Sequence, residues 1–235
     1  MFHWFIWKDL NSLNDFGLLI GKMPAIVRAA ERYDTVSIPG RPGSLILLEG
    51  EDVYDSYPKE VTVISRNDNP KLQQALSWLR GSGDVVFSNE TDYAYEARIV
   101  NEVRFDRIGN DLLQAKIQFL VEPLKKARYG DTAVTMTSSG TIYNPGDVAS
   151  KPVVRIVGSG TKEITIGGTA MTFTSLNGTS SSPVVVDCDA GIVTKGGNLW
   201  TNKVTGDFWR IPVGSSAVLP ASSVSLTIDP RWRWV

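Results

Sequence analysis

A mainly β chain with one or two helices, split into two domains, is the fold class this sequence predicts, and three observations carry it. Short β-branched runs recur along the chain, with Gly, Pro and Asn punctuating them. One segment has a clear helical repeat between start and stop signals. The composition also changes near residue 130. Residues 1–130 hold 34 charged side chains and residues 131–235 only 15, whereas Ser, Thr and Gly number 20 in the first part and 39 in the shorter second part. That shift places a boundary in the polar stretch Lys125–Asp131 and predicts domains over 1–130 and 131–235.

In the first part, Phe2–Trp7 alternates weakly and reads as strand, and Asn11–Asp15 reads as turn. Phe16–Ile20 and Ala25–Ala30 are apolar runs split by Gly21 and Pro24; Ala25–Glu31 is short enough to be strand or helix. Thr35–Gly40 is strand then turn, and Leu45–Leu48 and Val61–Ile64 are short strands. Between the last two lies an acidic segment, Glu49–Pro58, with Tyr54 and Tyr57; it reads as a loop or as the tip of a long hairpin. The helix follows. Asn67 or Asn69 can cap it, Pro70 opens it, Leu72, Ala75, Leu76 and Leu79 form its apolar stripe with Trp78 at the edge, and Gly81 and Gly83 stop it. Asp84–Phe87, Tyr93–Glu102 and Leu112–Val121 are strand-like, and the last alternates clearly enough to predict one buried and one wet face.

The second part reads as all-β, a sandwich or jelly roll, with strands at Thr132–Thr137, Val153–Val157, Glu163–Ile166, Thr169–Thr174, Pro183–Asp187, Phe208–Ile211 and Ser223–Ile228. Turns are predicted at Asn144–Gly146, Gly158–Gly160, Gly167-Gly168, Asn177-Gly178, Gly196–Asn198 and Pro212–Gly214; Gly167-Gly168 is the strongest tight-hairpin signal. There is no internal repeat at a fixed period.

Composition also removes functions. Hydrophobic residues at 42% and charged residues at 21% suffice for a packed core. A net charge of −1 argues against a protein that grips nucleic acid through bulk charge. The single Cys188 excludes an intramolecular disulfide framework and a thiolate zinc site, and the single His3 would have to serve any Ser-His-Asp arrangement from the extreme N-terminus. No stretch reaches the roughly 18 apolar residues of a membrane span, and Met1–Asp9 lacks the basic lead and cleavage site of a signal peptide; a soluble protein of a reducing compartment is expected. What stands out is an aromatic surplus of seven Trp, seven Tyr and eight Phe.

The order of parts resembles the distal tail protein (Dit) family of long, non-contractile-tailed bacteriophages, in its short form. The resemblance runs through Ile38–Gly43, Leu76–Leu79, Tyr93–Arg98 and Phe119–Pro123, then Tyr143–Gly146, Ser150–Gly160, Val184–Cys188, Gly206–Gly214 and Asp229–Arg233. It implies an N-terminal β-rich, split-barrel-like ring-forming domain with a helix and a C-terminal galectin-like β-sandwich. It also implies a structural, non-enzymatic virion protein of the tail tip or baseplate, assembled in the host cytoplasm: a homo-hexameric ring joining the tail-tube protein to the tail-tip or tail-associated lysin protein. Tape-measure and receptor-binding proteins are further expected partners, and DNA passes through the channel without sequence-specific binding. No catalytic, cofactor-binding or metal-binding residues are implied. Larger members carry a carbohydrate-binding insertion for which a C-terminal domain of about 105 residues has no room.

The remaining candidates divide between packing and contact. Trp200, Trp209, Trp232 and Trp234 are core or interface residues, or else stack on sugar rings; a carbohydrate-binding module is the alternative function, although the second domain has no His for a galectin-type site. Trp and Arg are enriched at interface hot spots and Tyr is a good amphipathic anchor, so Tyr54, Tyr57, Trp78, Arg231, Trp232, Arg233 and Trp234 are the candidate contact residues. Asp187-Cys188-Asp189 could offer two carboxylates to a hard cation, but reads better as a strand end with a buried thiol. Gly158–Thr161 lacks the Lys and helix of a phosphate loop and reads as a turn.

Overall fold

The computed structural model describes residues 2–235, which divide into two compact units, one running to Arg128 and the other Tyr129–Trp234. The first unit contains β1 (Phe5–Trp7), β2 (Leu10–Asn11), α1 (Ser12–Phe16), β3 (Leu19–Lys22), β4 (Tyr33–Ser37), β5 (Ser44–Leu48), β6 (Tyr57–Arg66), α2 (Leu72–Trp78), β7 (Ser82–Phe87), β8 (Tyr93–Ile99), β9 (Asp106–Ile108), β10 (Leu112–Val121) and β11 (Lys125–Ala127). The second contains β12 (Val134–Met136), β13 (Gly140–Asn144), β14 (Val153–Ile166), β15 (Thr169–Gly178), β16 (Val184–Asp187), β17 (Ile192–Lys195), β18 (Asn198–Leu199), a 3₁₀ turn at Thr201–Lys203, β19 (Val204–Gly206), β20 (Gly214–Leu219), β21 (Ser225–Asp229) and β22 (Arg233–Trp234). The fold is thus mainly β with two short α-helices, as the sequence predicts.

The first unit is built on one antiparallel sheet in the order β2-β1-β7-β8-β10-β6-β3. Its longest ladder pairs β10 with β6 from Leu112↔Arg66 to Val121↔Tyr57. The alternation predicted for Leu112–Val121 is present: Leu113, Ala115, Ile117, Phe119 and Val121 are buried, and Leu112, Lys116 and Leu120 face outward. The buried side meets Phe5, Trp7, Val61, Val63, Phe87 and Tyr95 and is closed by Ala75 and Leu79 from the α2 region. Asn11–Asp15 is a capped helix rather than a turn: Asn11 Oδ1 accepts from the Leu13 and Asn14 amides, and Asp15 Oδ2 accepts from the Asn11 amide, a reciprocal cap. For α2, Asn69 Oδ1 accepts from Lys71 N, but the residue at the cap position is Lys71, without a side-chain cap. Ala25–Ala30 adopts neither strand nor helix, and Glu31 makes only a single bridge to Tyr54.

In the second unit β14 belongs to two sheet faces. Its first half, Val153–Val157, lies between β21 and β16; its second half pairs with β15 and, at Thr165 and Ile166, with β20. The paths are β12-β21-β14-β16-β17-β18 on one side and β13-β20-β14-β15-β19 on the other. The strand crosses between them at a bulge from Gly160 to Lys162, where Gly160 has φ +84°. Gly158–Gly160 is therefore the bend of one continuous strand, not a turn between two. Asn177-Gly178 is likewise inside β15, with Gly178 opposite Gly158. Gly167-Gly168 does form the tight hairpin, with φ +61° and +86°. Phe208–Ile211 mimics a strand because Trp209 and Ile211 are buried, but its only ladder is one bridge in which Ser150 and Ile211 exchange amide hydrogen bonds of 2.9 Å. The core contains Val154, Ile156, Ile164, Met171, Phe173, Trp209, Leu226 and Trp232.

Candidate functional site

The groups the sequence singles out for chemistry lie apart from one another or are held in structural contacts. His3 is exposed, and its Nδ1 lies 3.4 Å from Ser88 Oγ. Among the described residues no cluster of His, Cys, Asp and Glu could hold a metal ion, and no helix is long and apolar enough to cross a membrane. Asp187 ends β16 and is occupied: its Oδ1 accepts the Asp189 and Ala190 amides, and the Arg231 guanidinium grips both its oxygens at 3.2 and 3.3 Å. Cys188 beside it is buried; desolvation pushes its thiol up to about 12, out of the range in which a thiolate attacks.

The feature without an internal explanation is a ribbon. β4 and β5 pair only with each other, Tyr33↔Leu48 through Ser37↔Ser44, and every residue of both strands is exposed. Its tip is Ile38–Gly43. In an antiparallel pair, partners share a side. Tyr33, Thr35, Ile46 and Leu48 therefore stand on one face, and Asp34, Val36, Leu45 and Leu47 on the other. Ile46 and Leu48 are each 61% exposed, Leu47 46% and Val36 43%. Isolated surface apolar residues are ordinary, but a contiguous apolar patch marks a contact surface.

The base of the ribbon is braced. Arg32 Nε meets Asp55 at 2.8 Å and Nη1 meets Glu49 at 3.6 Å, while the Arg32 amide bonds Val53 O, the Glu49 amide bonds Arg32 O and the Asp55 amide bonds Ala30 O. The acidic Glu49–Pro58 segment is thus the return from the ribbon, not its tip. Its cleft of about 480 Å³ is lined by Glu31, Leu48, Glu51, Val53 and Tyr54 among others.

The predicted contact residues fall mostly into cores. Tyr54 lies at the ribbon base, half-buried. Tyr57 packs on the first core, its hydroxyl donates to Val27 O at 3.3 Å, and burial with the Glu90 charge pushes it up to about 12. Trp78 stacks on Phe16 at 4.3 Å and Phe5 at 5.6 Å and donates Nε1–H to Trp7 O, tying α2 to the sheet. Trp232 is in the second core, its amide on Asp131; Arg233 Nη1 donates to Trp232 O; Trp234 packs against the same core. Trp209 is buried, and Trp200 lies against Phe173 with ring centroids 6.5 Å apart and interplanar angle 19°.

Sequence reasoning passed over a buried charged cluster in the first unit. Lys59 is 2% exposed, although it reads as an ordinary polar position of a strand. Its Nζ lies 2.5 Å from Glu90 Oε2 and 4.3 Å from the Tyr95 ring centroid; Tyr95 OH donates to Glu90 Oε1 at 2.6 Å, and Lys125 Nζ lies 4.0 Å from that oxygen. Desolvation lowers the Lys59 pKa against the opposing pull of Glu90.

Comparison with solved structures finds the same fold in the Dit protein (gp 19.1) of phage SPP1, described as a paradigm of the hub adsorption apparatus in phages infecting Gram-positive bacteria. The TM-score is 0.72 at 14% sequence identity, over 99% of this chain and 99% of that one. No family model and no curated protein matches the sequence.

Proposed function

We propose that the chain is a distal tail protein: a structural virion component of a phage tail hub, six copies of which close into a ring between the tail-tube protein and the tail-tip or tail-associated lysin protein. The observation that supports this reading most is the end-to-end correspondence with the SPP1 hub protein, over 99% of each chain. The unit running to Arg128 supplies the ring through head-to-tail, heterologous contacts, and Tyr129–Trp234, a plain galectin-like sandwich, faces outward as the attachment surface. DNA passes through the centre; a net charge of −1 suits a conduit that should not retain it. Saccharide recognition is the weaker reading because Trp200, Trp209, Trp232 and Trp234 all pack against the second core.

Native mass spectrometry of the purified chain over a concentration series, alone and with the tail-tube and tail-tip proteins, tests the proposal. Discrete sixfold assemblies are expected. A species that stays monomeric at every concentration and with every partner refutes it.

A further inference from the structure

We propose that the outer edge of β13 receives an extended segment of another tail protein, which adds a strand to the β13-β20-β14-β15-β19 sheet. This rests on the hub reading and specifies the chemistry by which the second unit attaches.

An antiparallel strand turns the N–H and C=O of alternate residues to opposite sides. β13 is joined to β20 on one side, in an unbroken register from Gly140↔Val218 to Asn144↔Gly214, and among the described residues no strand lies on its other side. Beyond that ladder the backbone of Gly140–Tyr143 makes no hydrogen bond among the described residues. Sheet proteins guard such an edge with a short strand, a bulge, a Lys or a Pro. The other outer strands of the two large sheets are guarded in this way. β2, β9, β12, β18, β19 and β22 have two or three residues each, and β3 is interrupted by a bulge between Ile20 and Lys22. β13 has five residues, with no bulge, no Pro and no charged side chain.

The surface beside the edge is equally free of charge. Thr141 and Tyr143 stand outward on β13, and Ser215, Ala217 and Leu219 on β20. Tyr143 is 65% exposed. The incoming strand therefore carries uncharged side chains on that side, with a β-branched or aromatic residue beside the Tyr143 ring. A second copy of this chain is the poorer occupant. β13 paired antiparallel with its own counterpart makes an isologous contact, which joins chains in twos and does not propagate around a ring. A segment of a different chain needs no such symmetry, and its main-chain bonds supply the affinity.

The test uses the full chain with the purified tail-tip or tail-associated lysin protein. A photo-crosslinker at position 141 or 143 should reach one short segment of that protein, at sites about two residues apart and in reverse order, because partners in an antiparallel pair run oppositely. Hydrogen exchange of the Gly140–Asn144 amides should slow by at least about 10-fold in the complex. Tyr143→Lys puts a guarding charge on the edge without touching the core, so thermal unfolding should stay close to that of the parent while the Kd for the partner rises by at least about 10-fold. Exchange in the parent chain decides the matter should a variant fail to fold. If the partner binds and exchange over Gly140–Asn144 is unchanged, or the crosslinks scatter or reach a second copy of this chain, the added strand is wrong while the hub stands. If the partner does not bind the chain at all, the hub reading itself fails, and the added strand with it.

Discussion

Replacing Glu90 by Gln should be the most damaging isosteric change in the first unit. The carboxylate is the counter-charge for two buried ammonium groups, Lys59 at 2.5 Å and Lys125 at 4.0 Å, whose side chains are 1% and 10% exposed. Gln preserves the shape and can still accept from Tyr95 OH, so the loss isolates charge. Stranding a buried ion by deleting its partner costs about 3–5 kcal/mol, a large part of the 5–15 kcal/mol that typically holds a domain together. Lys59→Met should cost less, about 1–2 kcal/mol, because Met fits between the Phe87 and Tyr95 rings and Glu90 keeps Lys125 and the Tyr95 hydroxyl. The double variant should recover most of the Glu90→Gln loss, with a coupling of about 2 kcal/mol.

The pH dependence follows in sign. Burial depresses the Lys59 pKa, and Glu90 opposes that depression. Without Glu90 the native state releases the Lys59 proton at lower pH than the unfolded chain does, so the stability of Glu90→Gln should rise with pH toward the unfolded lysine value of 10.5. Urea unfolding of the full chain, followed by Trp fluorescence at several pH values, measures all of this. Equal losses for Glu90→Gln and Lys59→Met, or a Glu90→Gln loss under about 1 kcal/mol, would show that the cluster is solvated and that the reasoning fails.

Other outcomes follow from single sites in the second unit. Gly167→Ala should cost several-fold more than Gly168→Ala in thermal melts: both have positive φ, but a Cβ at 167 would lie 2.3 Å from Arg210 O, whereas at 168 nothing lies within 4 Å. Asn144→Ala should destabilise by about 2–4 kcal/mol, since it removes the bonds that this buried amide side chain makes to Val148 O, the Gly146 amide and Ile211 O, the last of which keeps its bond from the Ser150 amide. Because the folded Cys188 pKa is raised from 9.0 to about 12, its contribution is intact below pH 9 and is lost as pH rises toward 12. Cys188→Ala should flatten that alkaline decline, and the native thiol should resist thiol reagents at neutral pH.

Features encoded in a few adjacent residues were legible without coordinates. The alternation of Leu112–Val121, the stripe of Leu72–Leu79 and the Gly167-Gly168 hairpin each depend on local dihedral preference and side-chain period, which operate over a turn or a strand. The composition change near residue 130 is of the same kind, for sandwich strands joined by tight turns draw on Ser, Thr and Gly. Misreadings arose where one local pattern serves two geometries. Gly158–Gly160 has turn residues, but the same freedom lets β14 bulge and continue; Trp209 and Ile211 alternate like a strand while the backbone around them pairs at one bridge.

The contact residues show the limit most plainly. Residue type could single out Trp78 and Trp232 as aromatic anchors, yet whether an aromatic face meets a neighbour or its own core depends on side chains 60 to 100 positions away, such as Phe16 for Trp78 and Asp131 for the Trp232 backbone. The same holds in reverse for Lys59, buried by Glu90 and Tyr95 from a distant strand and loop, and for the ribbon, whose Ile46 and Leu48 look like core until every element of the unit is seen to pack elsewhere. Short-range chemistry therefore decided that this chain is a two-part, mainly β protein. Burial, which is set by contacts between segments far apart in the chain, decided which apolar residues are left for a partner.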